Sequence, residues 1–84
     1  MSTKEKLVIR FIQQPKDFTW EELVRLFGTF GFTTNNKGKK SGSRIVFKNG
    51  NDFHSLHKPH PSNIIKSYAM KQILDFFVEK EYIK

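Results

Sequence analysis

Residues 37–61 read KGKKSGSRIVFKNGNDFHSLHKPHP, a basic run followed by two strand-like segments around a turn. Ser43 to Lys48 alternates with a period of two: Ile45 and Phe47 fall on one side, Arg44, Val46 and Lys48 on the other. Asn49-Gly50 is hairpin-turn chemistry, and Phe53 to Lys58 is the returning strand. Pro59 and Pro61 stop it, because proline cannot donate to a ladder. If Leu56 joins Ile45 and Phe47 in the core, alternation places Ser55 and His57 on the outer face with Arg44 and Lys48. His54 then points inward or sits at the edge.

Working outward, Asn35 through Gly42 is polar, basic and broken by glycines, and Phe32-Thr33-Thr34 ahead of it favours a short strand. Before that, Thr19 and Glu22 have the spacing of a capping box, with Phe18 and Leu23 as its hydrophobic staple. Trp20, Leu23, Phe27 and Phe30 continue one apolar face, with Leu26 beside it, and Gly31 is a natural terminator. The tryptophan reads as a core anchor. A first helix starts from Ser2, with Glu5 completing its cap, carries Leu7, Val8, Phe11 and Ile12 as a stripe, and ends at Pro15. Past the hairpin, a last helix begins near Ser67 with Tyr68, Met70, Ile73, Leu74 and Phe77 on its apolar side. The expectation is an α+β chain: two helices, a small antiparallel three-stranded sheet and a closing helix.

The 84 residues suit one domain, 1–84, and nine phenylalanines supply large buried areas for its core. No cysteine is present, so neither a disulfide framework nor a thiolate zinc site is available. No apolar run approaches the roughly 20 residues that span a bilayer, and the charged N-terminal stretch is unlike a secretory signal. The expectation is a cytoplasmic protein with no membrane association. The formal net charge is +7, and its distribution is uneven. Between Leu23 and Leu74 stand nine Lys or Arg residues and a single acid, Asp52, whereas the two ends together are nearly neutral. A localised basic field of this kind fits a polyanion, most often nucleic acid.

His54, His57 and His60 all lie in the returning strand and just beyond it. Spacing of three invites a metal site, but positions three apart in a strand face opposite ways and no carboxylate pair completes a ligand set. No metal ligand and no cofactor is expected. Proton transfer suits the imidazoles better. RNA cleavage by its own 2′-hydroxyl requires a base, an acid and cationic support for the charged phosphorane. His57 and His60 fit the first two roles, Arg44 and Lys58 the third. Lys37, Lys39, Lys40, Ser43, Arg44, Lys48, Lys58 and Lys66 form the expected RNA-binding set.

The order helix, three short strands, helix, with Gly42-Ser43-Arg44 opening the middle strand and His60-Pro61 ahead of Ile73-Leu74, resembles the HicA-type toxins of bacterial toxin–antitoxin pairs. The resemblance runs from about Thr19 to Ile83 and leaves residues 1–15 as a helical extension. It implies a double-stranded-RNA-binding-domain-like fold, mRNA interferase activity and an acidic HicB-type antitoxin as partner. It also implies a Gly-Ser-His triplet whose histidine is catalytic, and a Pro-x-His element before the final helix. Here the triplet reads Gly-Ser-Arg, while His57-Lys58-Pro59-His60-Pro61 keeps the later histidine at His60 and adds His57. Three readings stand: a toxin in which His57 or His60 has taken over proton transfer, a non-catalytic RNA-binding module of the same fold, and a basic adaptor for an acidic protein.

Overall fold

The computed structural model describes residues 3–35, 44–59 and 62–83. Three helices and three strands follow in the order α1 (Thr3–Ile12), α2 (Trp20–Thr29), β1 (Thr33–Asn35), β2 (Arg44–Asn49), β3 (Asp52–His57) and α3 (Ser67–Glu79). The strands form one antiparallel sheet in the order β1-β2-β3. This is an α+β fold, consistent with the double-stranded-RNA-binding type. The cap of α1 expected at Ser2, and the basic run at 36–43, lie outside the described residues.

The start of α2 follows its sequence signature. The Thr19 hydroxyl accepts from the Glu22 amide, and the Glu22 carboxylate accepts from the Thr19 amide. Arg10 of α1 donates to the same carboxylate at 2.9 Å and to Asp17 at 3.0 Å. One acid therefore caps a helix and ties its neighbour to it. The segments entering α2 and α3 are also joined, the Trp20 amide donating to the Asn63 carbonyl and the Ile65 amide to the Phe18 carbonyl.

All three helices end through a left-handed residue. In α2 the Gly31 amide donates to the Gly28 carbonyl and the Phe32 amide to the Phe27 carbonyl, with Gly31 at φ +90°. In α3 the Glu81 and Tyr82 amides reach the Val78 and Phe77 carbonyls in the same way, with Glu81 at φ +66°. Each pattern is a Schellman motif, closed by a ring contact across it: Phe27 with Phe32 at 5.1 Å, Phe77 with Tyr82 at 6.0 Å. In α1, Gln14 takes φ +54° and makes the first of these bonds, to Phe11. Pro15 has no amide for the second, so the chain leaves the helix there.

The core is built of rings. Phe27 lies parallel to Phe47 of the sheet at 3.9 Å and contacts Phe77 of α3 at 4.9 Å. Phe11 of α1 touches Phe77 and Phe18, so every helix meets the same cluster. Phe11, Phe18, Leu23, Leu26, Phe27, Phe47, Met70, Ile73 and Phe77 are fully buried, and Trp20 is nearly so. Ile45 and Leu56 pack against this cluster half-buried. Two expected core positions are outside it: Ile12 is 43% exposed at the flank of its stripe, and Tyr68 is 66% exposed. Tyr68 stands two residues from Met70, which at 3.6 residues per turn is about 160° round the helix. It belongs to the wet side.

Phe77→Ala is expected to cost about 3–5 kcal/mol, since a large ring is removed from a closed cluster. Phe53→Ala, at an exposed strand position, should change stability by about 0.5 kcal/mol or less. Urea unfolding followed by far-UV circular dichroism measures both, and comparable losses would contradict the described core.

Candidate functional site

The hairpin register sets the two faces of the sheet. Arg44 pairs with His57, Ile45 with Leu56, Val46 with Ser55, Phe47 with His54, Lys48 with Phe53 and Asn49 with Asp52. The two-residue loop Gly50-Asn51 closes the hairpin, with positive φ only at Gly50, the pattern of a type II′ turn. Because Phe47 is buried, Ile45, His54 and Leu56 share its side, and Lys48, Phe53, Ser55 and His57 take the other. That second face is open: Lys48 and His57 are exposed and Phe53 is 64% exposed. Thr33 of β1 pairs with Lys48 and extends this face.

The hairpin is held at its turn. Asn49 donates to the Phe30 carbonyl that ends α2 and to the Tyr82 hydroxyl beyond α3, at 3.1 and 3.2 Å. The Tyr82 hydroxyl donates to Asp52 at 2.7 Å, and Lys80 stands 3.9 Å from the same carboxylate. Asp52 as acceptor raises the Tyr82 pKa above its ordinary value. Two helix ends thus fix the two residues that flank the turn. The single acid of the basic middle segment is engaged there, away from the far end of the hairpin, where His57 and Lys58 lie.

At that far end an open cleft of about 300 Å³ lies between the end of β3 and the start of α3. His57, Lys58 and Lys66 stand at it, all exposed, together with Tyr68. Lys66 is the N-cap of α3, and its side chain makes no capping bond. The first turn of α3 carries no acid, whereas that of α2 carries Glu21 and Glu22. The positive end of the α3 dipole therefore adds to the lysines instead of being neutralised.

The expected site residues fall into three groups. Lys48, His57, Lys58 and Lys66 are exposed on the outer face or at the cleft. Arg44 is placed by its backbone register, opposite His57. Lys37, Lys39, Lys40, Ser43 and His60 lie outside the described residues. His54 stands apart from His57 across the sheet, its ring 5.0 Å from Phe76 and 6.3 Å from Phe27. Burial lowers its pKa from the ordinary 6.5, so the neutral imidazole packs among apolar rings. The cleft and its tyrosine are the features that reading the sequence missed. Counting residue 68 round the α3 wheel from Met70 would have turned it toward solvent.

An α+β chain with a basic hairpin and one open sheet face is the class of molecule these observations define. Comparison with family models identifies the family: the model described as the HicA toxin of bacterial toxin–antitoxin matches residues 20–75, about two thirds of the chain. The chain belongs to the HicA toxin family. Membership makes it a toxin of a toxin–antitoxin pair and implies a cognate antitoxin. Neither the curated proteins nor the solved structures gave a match. Among the described residues, no helix is long and apolar enough to cross a membrane.

Two acid limbs of stability follow from the shifted groups. The folded His54 holds its proton less tightly than the unfolded one, so stability declines as the pH falls through about 6.5. Hydrogen bonding to Arg10 holds the Glu22 carboxyl below its ordinary 4.5, so its contribution is present at neutral pH and lost as the pH falls below that value. His54→Leu should abolish the upper limb and keep the lower. Urea midpoints at pH 7.5, 5.5 and 3.5 measure this, and an unchanged upper limb in the variant would contradict the assignment.

Proposed function

We propose that the protein is an RNA-binding toxin that cuts mRNA without a metal, with the outer face of the β2–β3 hairpin as its working surface. The observation that carries this reading is the register pairing of Arg44 with His57. Arg44 stands where the family pattern has its catalytic histidine, and the residue directly across the ladder is an exposed imidazole beside Lys58. A base in the adjoining strand serves the phosphate that the replaced histidine would have served.

The chemistry is transesterification. His57 takes the proton of the 2′-hydroxyl, the 2′-oxygen attacks the adjacent phosphorus, and the bond to the 5′-oxygen breaks. His60 returns a proton to that leaving oxygen, so a 2′,3′-cyclic phosphate and a 5′-hydroxyl result. Arg44 and Lys58 stabilise the charge that builds on the phosphorane. Lys37, Lys39, Lys40, Ser43, Lys48 and Lys66 hold flanking phosphates, which positions the strand without reading its sequence. No cofactor takes part. The antitoxin is an acidic HicB-type protein covering the same basic face, and both act in the cytoplasm.

A second reading rests on the same Arg44: without the usual histidine, the domain binds RNA and leaves it intact. One set of variants separates the two. His57→Ala should slow cleavage of labelled mRNA by roughly 100-fold or more and leave binding nearly intact. His60→Ala cleaving poorly while His57→Ala cleaves normally would move the base to His60. Wild-type protein that binds RNA and never cuts it would leave the binding reading alone.

Replacing Lys39, Lys40 and Arg44 together by Ala should weaken RNA binding and flatten its dependence on salt, because fewer counterions are released. Filter binding at several salt concentrations measures both quantities. Affinity independent of salt would contradict a phosphate-contacting surface.

A further inference from the structure

Charge alone does not account for the cleft beside His57. Its lining joins Lys58 and Lys66 to the apolar Leu56, Pro59, Ile65 and Ala69, and Tyr68, two thirds exposed, lines it as well. Those four apolar side chains offer no hydrogen-bonding group, so they have little to give a phosphate. A flat heterocycle with charged groups on either side matches this set of residues: an exposed aromatic ring for stacking, apolar side chains to cover the base, and two cations for its phosphates. The volume of about 300 Å³ lies at the small-ligand end of binding sites.

We propose that Tyr68 stacks on an unpaired base of single-stranded RNA, and that the cleft is the subsite for the nucleotide beside the phosphate at which the 2′-oxygen, deprotonated by His57, attacks. The inference rests on the RNA reading above and specifies the form of RNA the site accepts. A base paired in a duplex turns its faces to its neighbours and has none for the tyrosine. An unpaired base swings out onto the ring, while Lys58 and Lys66 take the phosphates on either side of it. Stacking of this kind tolerates any base, since every base has a π-face. The cleft therefore selects for single-strandedness over sequence. The phenol hydroxyl is not needed for this role.

Fluorescence anisotropy with a labelled 2′-fluoro RNA, which has no 2′-hydroxyl and is not cut, tests the subsite in single-stranded and annealed form. Tyr68→Ala and Tyr68→Leu should each weaken single-strand binding by roughly 5- to 100-fold. Tyr68→Phe should bind within about twofold of wild type, and duplex binding should not change in any variant. Position 68 is exposed, so the melting temperature should stay near that of wild type. Single-strand affinity unchanged in both Tyr68→Ala and Tyr68→Leu would overturn the subsite and leave the RNA reading standing. Equal losses for single strand and duplex would overturn it too, by placing Tyr68 against the backbone. Wild-type protein that binds neither form would overturn the RNA reading and the subsite together.

Discussion

The parallel contact between Phe47 of the sheet and Phe27 of α2, at 3.9 Å, is the constraint on which the rest depends. Side chains of a strand alternate, so fixing one residue of β2 inward fixes every residue of the hairpin. With Phe47 inside, Ile45, His54 and Leu56 follow it, and Lys48, Phe53 and His57 face out. A slip of one residue would bury lysine and expose phenylalanine. The choice of register is thus worth far more than any single contact, and it decides which imidazole meets solvent. The turn reinforces it, because Asn49 and Asp52 are held by the ends of α2 and α3.

Charge is sorted by the same architecture. Arg10 pairs with both Asp17 and Glu22 where α1 meets the start of α2, which leaves that end of the molecule with one net negative charge from the three. Asp52 is spent at the hairpin turn on Tyr82 and Lys80. No described acid lines the cleft where β3 gives way to α3. A field left uncompensated on one side of a small molecule attracts a polyanion.

Much of this was legible in the residues themselves. The capping box at Thr19 and Glu22, the alternation from Ser43 to Lys48 and the left-handed glycine at Gly31 each act locally, so the sequence carries them without help. The outward placement of His57 followed from alternation once Phe47 was inside. Ile45 and Leu56 stop at half-burial because core depth depends on how far the helices reach across the sheet, which no local pattern records. Tyr68 was assigned to the wrong side because it was grouped with apolar neighbours by residue type, not by angle round the helix. The cleft was not legible at all. It lies between two nearby segments, at Leu56–Pro59 and Ile65–Ala69, and how these face each other depends on how α3 packs against the sheet.

The central claim is that RNA is handled on the outer face of the β2–β3 hairpin and at the end of β3. Backbone amide shifts of isotopically labelled protein, followed as an uncleavable single-stranded RNA is added, locate the contact residue by residue. The account predicts that Lys48, Ser55, His57, Lys58, Lys66 and Tyr68 move together, while Leu7, Arg10 and Glu22 stay still. Shifts concentrated on α1 and the start of α2, with the hairpin unmoved, would contradict it.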